Sequence, residues 1–511
     1  MKIRNSKLFG ASVLLVSGLI CKALGALFRL PLTNLLGIEG IGIFQLITSL
    51  YSFALVVTSG GVANSLSKLI GTARAQGVFE KISIYLKRAL FISVGVGLFL
   101  GIVFAVFGNF ISEMQGIASG GTYKLFILLL PLGAGLSAFR GFFQGYENML
   151  PTAISQIIEQ VFKFVFGLLF TSLFCKYGLV EGVLGAFLGI VISEVITFLY
   201  LIILWFVKNK KGKQIDDLKV IRFARREYDR ANIPLTLSAS ILPLVNAIDA
   251  LFVVSRLVSA GLSSGIATKL FGLQSGVVGA LLNFPLIISM SVTTSLLPNV
   301  SYLVSRGAGS HKVIEKGLCV LLYLVLPATF GLVAISRQVL SVVYVGMNGQ
   351  ILDIAFELMF YGAFSIIFTA LMQYLVMLLQ ANGQFKFILT TTIFGGVIKV
   401  VVSLALSAVR AVNIFALVFG NICFSAFVCV FALYKLKGMS RFRISLKEIL
   451  SILFGTFSMF IVVYAFINCN YFSVLVNVVL SIMLGVLTYF VFTIPVFMKI
   501  RPSLKKIKKV V

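Results

Sequence analysis

Two basic residues stand seven apart in the stretch KALGALFR: Lys22 and Arg29, inside an apolar run from Leu8 to Leu32. Seven residues make nearly two helical turns, so both cations fall on one face of a helix. An ammonium and a guanidinium offer donors only, and the planar guanidinium fork matches phosphate or carboxylate oxygens in pairs. The chemistry on offer is capture of an anion. The same spacing recurs in DALFVVSR, where Asp249 and Arg256 share a face. Other charges sit inside apolar runs as well: Glu159, Lys163, Glu194, Glu357, Lys386 and Lys399. A charge near a bilayer centre costs on the order of 2.5–3.5 kcal/mol on insertion scales, so such groups face water, a ligand or a partner. Glu159 and Lys163, four apart, are spaced to neutralise each other. Asp249 is a candidate partner for the cations of the first helix, and Lys399 joins Lys163 as a candidate pairing or coupling residue. Glu194 and Glu357 are candidates for ion or proton coupling.

The elements that must position these residues are membrane spans. Of 511 residues, 59% are hydrophobic and 12% charged, against roughly 25% charged in ordinary soluble domains. The apolar residues fall in blocks of about 20, the length that crosses a bilayer as a helix. About fourteen such blocks follow one another, from 8–32 and 40–62 to 447–468 and 471–498, and a short ambiguous segment occupies 337–353. The fold class is therefore all-α, a polytopic membrane protein.

Loop charges test that count. Basic clusters occupy every second connection, such as KNKKGKQIDDLKVIRFARREYDR (208–230) and the tail KIRPSLKKIKKVV (499–511), while the alternate loops are nearly bare of charge. Basic loops mark the cytoplasmic side, so both termini are expected in the cytoplasm, in a multi-pass protein of the cytoplasmic membrane. MKIRNSK followed by an apolar run has the form of a signal peptide, yet Lys22 and Arg29 interrupt the run and no A-x-A-like site precedes them. A retained first helix is expected.

A net charge of +27 distributed in this way points to anionic membrane lipids, not to nucleic acid. Six cysteines lie in or beside apolar blocks without a CxxC pair, and there is one histidine, His311. A disulfide framework, a metal site and a histidine-based catalytic centre are not expected, nor is any cofactor. The outer loops are too short and uncharged to carry the acids of an enzyme site.

An internal echo organises the spans. A shift of 227 aligns KALGALFRL with DALFVVSRL, with coincidences at 23/250, 24/251, 29/256 and 30/257; a shift of 236 places Lys163 over Lys399. Parallel repeats of six helices follow, as an N-terminal lobe at 1–207, a basic linker at 208–232 and a second lobe at 233–436. Residues 437–511 add two helices and the tail. In such a pair of lobes the ligand site belongs at their interface, where Lys22, Arg29 and Arg256 are the candidate substrate-binding cations.

FRGFFQGYENMLPTAISQIIEQVFK (139–163) and FRLPLTNLLGIEGIGIFQLITSLYSF (28–53) resemble the polysaccharide transporter branch of the multidrug/oligosaccharidyl-lipid/polysaccharide flippase superfamily. Within it, the group similar to stage V sporulation protein B is nearest, with lipid II flippases related to it. The resemblance implies a two-lobed, fourteen-helix fold with a cation-lined cavity, and a monomeric flippase for undecaprenyl-diphosphate-linked sugars, lipid II-like cell-wall or polysaccharide precursors, working by alternating access. It also implies coupling to the membrane potential or a cation. In the lipid II flippases the first helix carries a basic-x-x-Gly setting, which Lys22 and Gly25 match. The alternative is a cation-coupled multidrug antiporter of the same superfamily, for which a dominant acidic site within one lobe is expected.

Overall fold

The computed structural model describes residues 2–117, 119–208, 218–305, 311–344, 349–437, 446–469 and 472–510. The basic stretches 209–217, 306–310 and 438–445 lie outside the described residues. The chain forms two compact units, Met1–Gly272 and Leu273–Val511.

The first unit begins with α1 (Lys2–Ser59), 58 residues long. At 1.5 Å per residue this is about 87 Å, nearly three times the ~30 Å of hydrocarbon in a bilayer. One straight helix cannot be accommodated, and Gly37 breaks it with φ +67° and ψ −179°, a conformation essentially reserved for glycine. Thus α1 is two crossings. Thirteen helical stretches among the described residues are long and apolar enough to cross a membrane; with the first of them counted as two crossings, the fourteen expected from the sequence are recovered.

The amphipathic α2 (Val62–Ala75) buries Leu66, Leu69 and Ile70. The long α3 (Glu80–Val106), the short α4 (Gly108–Met114) and a 3-10 turn (Gly120–Leu125) lead into α5 (Phe126–Gly145). Next come α6 (Leu150–Phe174) and α7 (Leu179–Lys208), which approach so closely that a Cβ on Gly189 would lie 2.3 Å from the Gly167 nitrogen. Small residues at such crossings let membrane helices pack backbone to backbone.

The unit closes with α8 (Leu218–Ser259) and α9 (Ser264–Gly272). Residues 218–232, read from the sequence as linker, are the opening turns of α8. They fold because their inner face is apolar: Ala224 and Tyr228 are buried with Leu201, Phe142 and Tyr85. Burial of an amphipathic face, more than propensity, is what holds such a helix.

The second unit starts with a π-helical turn (Leu273–Val278) that leads into α10 (Gly279–Ser305). It continues with α11 (His311–Ala334), the short α12 (Ser336–Val343) and α13 (Gly349–Ala381). The last four helices are α14 (Phe385–Ser407), α15 (Phe415–Lys437), α16 (Leu446–Asn468) and α17 (Val474–Val510). Hydroxyl and amide side chains tie these apolar helices: Ser289 Oγ donates to Gln373 Oε1 at 2.9 Å, and the Tyr489 hydroxyl to the Tyr323 carbonyl at 2.8 Å. Of the ambiguous sequence segment at 337–353, residues 345–348 lie outside the described residues; 337–343 belong to α12 and 349–353 to the start of α13, and an ion pair joins Arg337 to Asp353.

Candidate functional site: a charged cluster on α1, α5, α6 and α7

The half of α1 before Gly37 packs on α6. Ser17 Oγ donates to Gln156 Oε1 at 3.3 Å, and a Cβ on Gly25 would sit 3.7 Å from Gln160 Oε1. One turn further, Phe28 is buried, with Lys163 Nζ 5.6 Å from the centre of its ring. A cation over an aromatic face is attracted by the ring quadrupole. Of the two basic residues on this half of α1, Lys22 is exposed and Arg29 half-buried.

Beside this contact runs a line of ionic groups. Arg140 on α5 donates through its terminal nitrogen to Glu159 Oε2 at 2.6 Å and through Nε to Ser155 Oγ at 3.0 Å. The expected i,i+4 neutralisation of Glu159 by Lys163 therefore gives way to a pair between helices. The guanidinium reaches carboxylate and hydroxyl together, while the Lys163 ammonium sits over Phe28. Glu194 on α7, 4% exposed, accepts a 2.5 Å hydrogen bond from the Tyr51 hydroxyl on the second half of α1. Electrostatics joins these pieces: Glu159, Arg29 and Glu194 all act on Lys163, and Glu159, Lys163 and Arg140 act on Glu194. Arg29, Arg140 and Lys163 thus share one cluster with Glu159 and Glu194.

Within that cluster each carboxylate has a committed partner, Arg140 for Glu159 and Tyr51 for Glu194. Beside them stand the cations Lys163 and Arg29, each half-buried, and Lys22, which is exposed on the same face of α1 as Arg29. No group of three or more His, Cys, Asp or Glu side chains able to hold a metal ion occurs among the described residues. The chemistry that such cations offer is electrostatic capture of an anion.

The remaining sequence candidates lie elsewhere. Asp249 is buried and Arg256 exposed, both on α8. That helix packs on the second half of α1, where Gln115 Nε2 donates to the carbonyls of Leu46 and Ala250, each at 3.2 Å. Lys22 and Arg29 belong to the first half, against α6. In the second unit Lys399 is buried on α14, whereas Glu357 and Lys386 are exposed. The sequence reading passed over Arg140 and Tyr51. Arg140 was findable as a charge within the apolar run of α5; a tyrosine among apolar residues carries no signal that its hydroxyl faces a carboxylate.

Comparison with known proteins agrees with this architecture. The chain is 25% identical to stage V sporulation protein B of Bacillus subtilis (strain 168) over 303 residues, 58% of each chain. The match thus spans under two thirds of that relative's length. It is 23% identical over 433 residues to the lipid II flippase MurJ of the same organism, covering 79% of this chain and 78% of that one. Among solved structures, a lipid II flippase MurJ in an inward closed conformation superposes with a TM-score of 0.75 at 13% identity, covering 95% of this chain and 98% of that one. An inward-facing multidrug resistance MATE family transporter of the MOP superfamily gives 0.65 at 14% identity, over 82% and 95% of the two chains. These likenesses establish a MOP-type transporter fold. The model of the family described as polysaccharide biosynthesis protein matches residues 8–304, more than half of the chain, and the protein belongs to that family.

Proposed function

We propose that the protein is a flippase for a lipid-linked sugar, taking the diphosphate headgroup of an undecaprenyl-type carrier across the cytoplasmic membrane by alternating access. The observation that carries this reading is the α1–α6 cluster, where Arg140 pairs with Glu159, Lys163 and Arg29 stand together, and Lys22 lies on the same face of α1 as Arg29. Arginine and lysine at depth suit phosphate oxygens, and the carrier's tail stays in the bilayer. Lys22 and Arg29 receive the headgroup, Lys163 supports them, and Arg256 on α8 is the cation of the echoed motif. The likeness to a protein named lipid II flippase over 79% of the chain supports the same reading. Both termini face the cytoplasm, the working unit is the monomer, and the drive is the membrane potential or a cation gradient.

A second reading has its own observation. Glu194, buried in the first unit beside Glu159, is an acidic group of the kind a cation-coupled drug antiporter needs, and a MATE transporter shares the fold. Proteoliposomes separate the two. Translocation of a defined undecaprenyl-diphosphate sugar that falls tenfold or more in Lys22→Ala and Arg29→Ala supports the flippase. Efflux of cationic drugs without lipid translocation supports the antiporter.

A further inference from the structure

The opening turns of α8 lie outside the charged cluster, and their side chains divide sharply. Ala224 and Tyr228 face the core. The two acids face α3: Glu227 accepts from the Tyr85 hydroxyl at 2.6 Å and lies 3.7 Å from Lys81 Nζ, while Asp229 takes two bonds from Arg88, at 3.2 and 2.8 Å. Lys81 also sits 4.9 Å from the centre of the Phe223 ring. With both carboxylates engaged inward, what remains outside is basic. Lys219, Arg222, Arg225, Arg226 and Arg230 are all exposed, as is Lys87 next to Arg88 on α3.

Depth decides what this surface meets. The apolar run of α8 begins at Ile233 and that of α3 at Ala89. Arg88 and Asp229 touch, so the two helices place the edge of the hydrocarbon at the same level, within a turn of Arg230. At 1.5 Å per residue, Arg230 stands about 5 Å and Arg226 about 10 Å beyond Ile233, with Arg222 and Lys219 roughly 16–21 Å out. The headgroup layer on each side of a bilayer is about 5–8 Å thick. Arg230 and Arg226 therefore sit in or just above the layer of lipid phosphates, and the outer two stand clear of it in water.

We propose that Arg226 and Arg230, with Lys87 beside them, form a binding surface for anionic phospholipid headgroups, held in place by the Arg88–Asp229 and Tyr85–Glu227 clasp. The clasp fixes α8 against α3, so the guanidinium groups meet the phosphates already positioned, and arginine binds phosphate in pairs of hydrogen bonds. A soluble acidic protein would be expected to use the outer pair, Lys219 and Arg222, at least as much. This surface is independent of the substrate proposed above.

The test is native mass spectrometry of the purified full-length protein titrated with phosphatidylglycerol or phosphatidylcholine in detergent. Each basic group near an anionic surface contributes about 1 kcal/mol, so R226Q/R230Q should lower phosphatidylglycerol retention by roughly tenfold or more, towards the phosphatidylcholine level. K219Q/R222Q should leave it within about twofold. Retention unchanged in R226Q/R230Q, or lowered equally by K219Q/R222Q, overturns the proposal. Should R226Q/R230Q melt early, R226K/R230K is read instead: it keeps the charge, so retained phosphatidylglycerol selectivity supports the surface and lost selectivity overturns it.

Discussion

The lysines of α6 and α14 coincide in the sequence echo and sit in opposite surroundings. Lys163 is half-buried over Phe28, under the influence of Glu159, Arg29 and Glu194. Lys399 is 6% exposed, on a face of α14 whose other buried members are Thr391, Gly395, Ser403 and Ser407, spaced by four. Across from it, a Cβ on Gly420 of α15 would lie 2.3 Å from Ser403 Oγ and 3.2 Å from the Lys399 carbonyl. One lysine belongs to an ionic cluster; the other lies on a helix-packing seam of small and hydroxylated residues. An echo in sequence therefore conserves where a charge sits along a helix without conserving what surrounds it. The proposed anion capture is therefore placed on the residues of the first unit.

Four substitutions test that contrast. The largest effect is expected at Arg140. Truncation to alanine leaves Glu159 without its pair, and removing one partner of this partly buried ion pair costs on the order of 1–3 kcal/mol. The melting temperature of the detergent-solubilised protein should drop clearly, and Glu159→Gln added to Arg140→Ala should restore part of it. If the single variant melts like the parent, the Arg140–Glu159 pair does not organise the cluster.

Next comes the pair of lysines. Lys163→Met should slow lipid translocation about tenfold, or ~1.4 kcal/mol, with little change in melting. Lys399→Met should leave translocation within about twofold, since the residues of the charged cluster described above all lie in the first unit. Equal loss of transport in both variants would mean that the two units contribute alike. The smallest effect is expected at Ser403, whose hydroxyl is buried without a hydrogen-bond partner. Removing an unsatisfied hydroxyl relieves a desolvation penalty, so Ser403→Ala should hold or raise the melting temperature, by no more than about 1 kcal/mol equivalent. A clear drop would show that the seam depends on that hydroxyl.

Much of the fold was legible in the sequence because a bilayer imposes a coarse rule, twenty apolar residues followed by polar punctuation. The fourteen crossings follow from it, including the pair that share α1, since no single crossing needs 58 residues. Local chemistry was less legible. KVIRFARREYDR reads as solvated charge, yet its Ala224 and Tyr228 are buried and its acids are bonded to α3, because side chains brought together from distant sequence supply the partners. Lys22 and Arg29 were visible as cations at helical spacing. That Glu159 would pair with Arg140, and Glu194 with Tyr51, depends on four helices meeting, which helical periodicity does not encode.

In the proposed flippase the cations of the first crossing receive an anionic lipid headgroup. Reconstituted proteoliposomes loaded with a labelled undecaprenyl-diphosphate sugar test it most directly, with translocation followed in the parent, Lys22→Ala and Arg29→Ala. A loss of about tenfold or more is expected in each variant, with the protein still folded and inserted, on the scale of one lost charged contact to phosphate. Translocation at the parent rate in both variants would contradict it.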